Sequence, residues 1–330
     1  MGHHKHLTLQ EREDIMVMWR ENKGVTQIAE AIGRDKSTVS RELRRNMCAA
    51  STPHPYYRAS TAQARYEQRR KSCMRPRILD DSDTFELVRS KFLEEQWSPE
   101  QIEGRLALEL GRSPVSDTTI YRGICAGLFD GCIGGKRAAR RLRHRGKRRK
   151  RAGSEERRGK IVVSNTINER PVAADERARL GDWEADTVAG RQGGACLATF
   201  TDRKSGYLAG GKAAAKTADE VNAVAIASLA GHPLHSITPD RGKEFAKHAE
   251  VTEVLHVEFY FALPHHPWQR GTNENTNGLL REYFPKGDPI EGFSDEEVRM
   301  VYDKLNKRPR KRLGYRTPHE VHYSTTLQLV

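Results

Sequence analysis

A chain of 330 residues is too long for one ordinary hydrophobic core, and its 36% hydrophobic content suits two or three compact domains joined by polar linkers. Its longest apolar stretch, residues 221–230, is too short and too interrupted to cross a bilayer, and no secretory signal is visible. A membrane or exported protein is therefore not expected, and the chain reads as soluble and cytoplasmic or nucleoid-bound. Of the net charge of +13, residues 136–160 carry most, with fourteen Lys and Arg against Glu155 and Glu156. Such a block, with Arg148, Arg149 and Lys150 at its centre, points to a polyanion partner whose affinity falls steeply with salt. Its plainer reading is a solvated linker or a localisation signal. The five cysteines are scattered with no Cys-x-x-Cys pair, which argues against a zinc module or a disulfide framework.

Residues 1–50 read as a helix-turn-helix domain. Ile15, Met16 and Trp19 give the first helix its apolar face, and Gly24 is expected to end it. A second helix covers about residues 26–32, Gly33 supplies a left-handed turn, and Asp35 or Ser37 caps a third. Ala29, Gly33 and Val39 fit a small residue, a turn glycine and an apolar packing residue at helix-turn-helix spacing. That leaves Lys36, Ser37, Thr38, Ser40, Arg41 and Arg44 to face a major groove. A generic three-helix bundle with a basic surface is the bland alternative.

Residues 51–78 read as a helical spacer, and residues 79–135 as a second, weaker helix-turn-helix-like domain. Ser98-Pro99-Glu100-Gln101 is a capping box with proline at the first helical position. Ser116 should cap the next helix, with Ile120 inward and Thr118, Thr119, Tyr121 or Arg122 outward. The connection between these helices is longer than a tight turn, so a structural or dimerising pair competes with the DNA reading. A basic linker, residues 136–170, follows.

Residues 171–330 change pattern. Strand-like runs at 183–188, 195–202 and 207–211 are separated by turns, and Thr217 opens an alanine-rich helix. A short strand at 235–238, a helix from about Lys243, a strand at 257–263 and a helix at 272–283 complete an alternating series. Three antiparallel strands followed by alternating helix and strand predict a ribonuclease H-like α/β fold. The chain is thus multidomain, with all-α helix-turn-helix units ahead of this domain and a basic tail behind it.

Asp240 and Glu274, with Asp186 ahead of them, are candidates for one metal site. Oxygen-only ligands favour Mg²⁺, or Mn²⁺, over zinc. Asp182, Glu184 and Asp186 alternate onto one strand face, so periodicity alone does not choose among them. A carboxylate at a sheet centre is costly without a metal or cation, which favours a central one over Asp182. Asp202 and Glu244 are further decoys, and surface salt-bridging is the plain alternative for each acid taken singly.

Trp183-Glu184-x-Asp186, Asp240-Arg241-Gly242-Lys243-Glu244, the run from Pro267 to Leu280 and the tail from Asn306 to Val321 together resemble bacterial insertion-sequence transposases of the IS30 type. The starts Leu7-Thr8-Leu9-Gln10-Glu11-Arg12 and Trp97-Ser98-Pro99-Glu100-Gln101-Ile102 match as well, so the resemblance covers almost the whole chain. Ala185, Asp182, Leu263 and His266 depart from the family pattern without removing a catalytic acid.

The resemblance implies a DDE catalytic core, like that of retroviral integrases, with Asp186, Asp240 and Glu274 as its acids and metal ligands. It implies metal-dependent cleavage of double-stranded DNA at terminal inverted repeats, then strand transfer into target DNA. Two ends must be joined, so a homodimer or larger oligomer is expected. Lys243, Arg270 and Lys286 are candidate phosphate contacts, while Trp268 is expected to pack beneath a helix rather than stack on a base. The alternative is a non-catalytic DNA-binding regulator derived from a transposase.

Overall fold

The computed structural model describes residues 6–48, 56–73, 77–143, 162–191, 193–264 and 266–330; Arg148, Arg149 and Lys150 of the basic block lie outside them. The chain divides between Arg77 and Ile78 into two compact units.

The first unit is helical: α1 (Leu9–Arg20), α2 (Val25–Ala31), α3 (Lys36–Asn46) and α4 (Ala59–Ser72). A capping box joins Thr8 and Glu11 at the start of α1. The first helix does not end at Gly24. Asn22 takes the left-handed turn (φ 60°), and Gly24 instead caps α2 in extended backbone. Gly33 does turn left-handed between α2 and α3 (φ 64°), and Asp35 caps α3 by accepting from the Ser37 N–H. Ile15, Ile28, Ala29, Val39 and Leu43 meet in the core. The segment expected to be a spacer joins that core through Tyr57 and Ala62. Its link is a buried charge: Arg12 pairs with Glu42 at 2.9 Å and donates to Gln63, while the Tyr57 hydroxyl donates to Glu42.

The second unit opens with α5 (Ser82–Arg89), α6 (Pro99–Leu110) and α7 (Asp117–Cys125). Ser98 and Gln101 form the expected capping box, Gly111 ends α6 left-handed, and Ser116 caps α7 through the Thr119 N–H. Val88, Phe92, Trp97, Ile102, Leu106, Ile120 and Ile124 are buried between these helices.

A six-stranded sheet follows, built from β1 (Asn165–Thr166), β2 (Asp182–Ala189), β3 (Cys196–Asp202), β4 (Leu208–Ala213), β5 (Ser236–Thr238) and β6 (Glu258–Phe261). Its order is β1-β6-β5-β2-β3-β4. β2, β3 and β4 run antiparallel, whereas β5, β6 and β1 run parallel to β2. The helices are α8 (Val172–Asp175), α9 (Ala218–Leu229), α10 (His248–Leu255), α11 (Gly271–Leu280), α12 (Asp295–Asn306) and α13 (Pro318–His322). This is the ribonuclease H-like arrangement, with helices on both faces.

Three details differ from the sequence reading. The third strand starts one residue later and runs to Ala213, Lys243 begins a 3₁₀ turn rather than α10, and β1 adds an edge strand beside β6. Strand alternation sorts the residues of β2 and β3. Trp183, Ala185, Ala198 and Phe200 enter one core with residues of α9 and α10, while Val188 and Leu197 enter the other with Leu279, Leu280 and Tyr302. Glu184 and Asp186 therefore share the α11 face.

The basic C-terminal segment is packed into the second unit. Arg308 is buried and pairs with Glu282 at 2.8 Å, and Arg312 donates to the Lys204 carbonyl. The segment ties the helices of the second unit to the sheet domain. Arg105 of α6, 1% exposed, donates to both oxygens of Glu320 (2.7 and 2.9 Å), to Glu109 and to the Leu327 carbonyl. Leu329 and Val330 then pack against the helical core. Burial alone would raise the Glu320 carboxyl, but Arg105 and the N–H groups of Leu327 and Thr317 hold it down at about 2.

Arg105→Ala should cost about 3–5 kcal/mol, because it leaves a buried carboxylate unpaired. Urea unfolding of the parent and variant measures this. In the parent, the contribution of ionised Glu320 is complete above about pH 4.5 and is lost as pH falls towards about 2. That acid-side loss should shrink in the variant.

Candidate active site

The site sits where β2 and the end of β5 face α11. β2 carries Asp186 near the middle of the sheet, on the face where α11 packs. The Asp186 carboxylate accepts from the Thr187 N–H at 2.8 Å and from the Asn277 side-chain amide at 3.1 Å. Asp240 lies two residues beyond β5, where its Oδ1 accepts from the Gly242 N–H at 2.8 Å and steadies the turn.

One cation spans the two acids. Arg270, on the 3₁₀ turn before α11, places its guanidinium 3.4 Å from Asp186 and 3.5 Å from Asp240. A bond from Nη1 to the Ala185 carbonyl fixes it to β2 at 3.0 Å. Burial raises the Asp186 carboxyl above its ordinary value; Arg270 opposes that shift and Asp240 adds to it. Two carboxylates at this separation demand positive charge between them.

The decoy acids have their own protein partners. Glu184 is fully buried, pairs with Arg203 at 2.6 Å and accepts from the Asn273 backbone N–H at 2.8 Å. Asp182 pairs with Arg179 and accepts from the Ser236 hydroxyl. Asp202 accepts from the Gly181 and Ser205 N–H groups, and Glu244 pairs with Lys216 while accepting from Thr187. Sheet-centre position therefore does not by itself mark a metal ligand, since Glu184 satisfies it with an arginine.

Glu274 lies in the first turn of α11 with its side chain exposed. Among the described residues, no group of three His, Cys, Asp or Glu side chains stands close enough to hold one ion. Asp186 and Asp240 are brought together around Arg270, and Glu274 lies on the exposed surface of the adjoining helix. Asn277 was not singled out from sequence. Its signal was the spacing Asn273 to Asn277, four residues apart, which puts both on the sheet-facing side of α11.

Trp268 does not pack beneath a helix. It is 69% exposed, with its ring 4.6 Å from that of His266. Lys243 and Lys286 are exposed. On α3, Lys36, Ser37, Ser40, Arg41 and Arg44 are exposed and Thr38 is half-buried; Arg41 donates to the Ser37 hydroxyl and carbonyl. On α7, Thr118 and Arg122 are exposed, while Thr119 is half-buried against Ser116.

Comparison with known proteins adds identity to this geometry. A family model described as a helix-turn-helix domain matches residues 3–46. The transposase for insertion sequence element IS4351 of Bacteroides fragilis is 40% identical over 96% of this chain and 95% of its own length. Transposase InsI for insertion sequence element IS30A of Escherichia coli (strain K12) is 38% identical over 96% of this chain and 83% of its own. The catalytic core domain of BIV integrase shares 17% identity at a TM-score of 0.35, covering 43% of this chain and 93% of that one.

Structural and functional acids should separate by stability. Glu184→Ala, which strands the buried Arg203, should lower the unfolding free energy by about 3–5 kcal/mol. Asp186→Asn should change it by less than about 1 kcal/mol. Equal losses in urea titration would show that the two acids do the same structural work.

Proposed function

The chain belongs to the IS30 family of insertion-sequence transposases, and on that premise we propose that it cuts DNA at the terminal inverted repeats of its element and joins the freed ends to target DNA. The observation that carries this reading is the convergence of Asp186 and Asp240 on one cation, Arg270, beside the helix that bears Glu274.

The donor set suits a hard divalent cation, because both facing groups are carboxylates already arranged around positive charge. Mg²⁺, or Mn²⁺, would supply activation of the attacking oxygen and stabilisation of the leaving one. Asp186 and Asp240 are its ligands in this reading, and Glu274 is the third acid by the family pattern. Thr187 and Asn277 orient Asp186 through their N–H donors. Arg270 neutralises the acid pair before a cation is bound and turns to a DNA phosphate afterwards. Trp268, exposed two residues before Arg270, offers its face to a base near the cut.

The reaction runs in two displacements. Water attacks a phosphodiester at the element end; a new P–O bond forms, the old one breaks, and a 3′-hydroxyl departs. That hydroxyl then attacks a target phosphodiester, so one bond replaces another without an external energy source. Helix α3 holds the end through Lys36, Ser37, Thr38, Ser40, Arg41 and Arg44, with Thr118, Thr119 and Arg122 of α7 as a second reader. Lys243 contacts phosphate nearby, and a homodimer or larger assembly holds both ends in the bacterial cytoplasm.

Labelled DNA carrying the inverted repeats that flank the reading frame tests this. Nicking at the repeat boundary with Mg²⁺ should fall at least ~10²-fold in Asp186→Asn and in Glu274→Gln, with repeat binding unchanged. Binding without any cutting by the parent in Mg²⁺ or Mn²⁺ would assign the chain to the non-catalytic regulator instead. Arg270→Gln should make the melting temperature rise more on adding Mn²⁺ than it does in the parent, because the acid pair has lost its resident cation.

A further inference from the structure

Between the helices of the second unit and α11 lies a cleft of about 1130 Å³. One wall is the segment after α7, with Arg137, Arg140 and Arg143; another is the Arg308–Arg312 stretch of the C-terminal segment. Tyr121 of α7 and Asn275 of α11, next to Glu274, also line it.

The lining holds eight Lys and Arg and one acid, Glu100, which pairs with Lys311; Arg308 and Arg143 share Glu282 behind the wall, so the cations still outnumber the acids that meet them. Some of these cations are anchored. Arg143 donates to the Asn275 side chain at 3.2 Å, and Arg141 to the Leu93 carbonyl. Burial, and then the like charges of Arg308, Arg312 and Arg143, pull the Arg310 guanidinium down to about 9. The Trp97 indole N–H, buried in the wall, has no acceptor among the described residues. Cations crowded this closely suit an anion of several charges.

The cleft also has fixed ends. Arg105 and Glu320 lock α6 to the C-terminal segment, the Gln101 side chain donates to the Pro309 carbonyl at 2.8 Å, and Lys304 to the Glu94 carbonyl. Helix α7 and helix α11 therefore belong to one packed body rather than to two modules on a tether.

Resting on the transposase reading above, we propose that this cleft carries a strand of the bound DNA from α7 to the acids of the same chain, so that the end read by α7 is cut in cis. The occupant is a nucleic-acid backbone, because only a polyanion matches cations distributed along the whole wall.

The test uses the full chain with Arg137→Gln, Arg140→Gln and Lys311→Gln combined, three exposed positions outside the acid site. Repeat binding is measured by fluorescence anisotropy against salt. The slope of log K on log salt should become shallower by about 2–3, and Arg137→Lys with Arg140→Lys should keep the parent slope. Nicking by the triple variant should fall at least about tenfold at moderate salt. Mixing the triple variant with Asp186→Asn, so that no chain has both a working cleft and a working site, should not restore nicking. Restored nicking would place reading and cutting on different chains and overturn the assignment. An unchanged slope would also overturn it, and with lost self-association would give the cleft to an acidic protein segment. Parent protein that binds but never nicks would fail the transposase reading alone, leaving the slope to judge the cleft.

Discussion

Negative charge buried at a sheet surface needs a cation close by, and the acids of this sheet are organised around that requirement. Glu184 has Arg203, Asp182 has Arg179, and Glu244 has Lys216. Asp186 and Asp240 differ because one guanidinium serves both. The first three pairs close local charge balance and fix the sheet to its surroundings. The fourth sets two facing carboxylates on either side of one guanidinium, an arrangement that also suits a divalent ion.

Strand periodicity was enough to place Asp182, Glu184 and Asp186 on one face, and the structure puts Glu184 and Asp186 opposite α11. Periodicity carries no information about partners, however. Arg203 lies nineteen residues from Glu184, and it reaches that acid only because β2 and β3 pair antiparallel. The expectation that a central carboxylate needs a metal or a cation holds at Glu184, where the cation is Arg203. Arg270 was visible as a basic residue near a candidate acid, but its bridging position depends on the 3₁₀ turn and on a bond to the Ala185 carbonyl.

Short-range signals translated most directly. The Ser98–Gln101 box, the Ser116 cap and the left-handed Gly33 are each set by residues within a few positions of one another. Where long-range packing decides, sequence was less informative. Helix α4 looked like a connector because its surface is basic, yet Tyr57 and Ala62 place its start in the first core. How the C-terminal basic run is held was not legible either, because charge density alone does not reveal Glu282 or the Lys204 carbonyl as acceptors. Trp268 was expected to pack beneath a helix, yet it is 69% exposed beside the His266 ring.

The Arg105 seam also bears on the order in which the molecule can be made. The first unit has a core of its own within an early stretch of the chain, so it can close while synthesis continues. The core around Ile102 and Leu106 is different: Leu329 and Val330 cover it, and their backbone N–H groups bond to Glu109 some 220 residues back. A ribosome must pass residue 330 before that surface is sealed. A chain stopped earlier would therefore emerge with a finished DNA-binding head and an open, aggregation-prone middle.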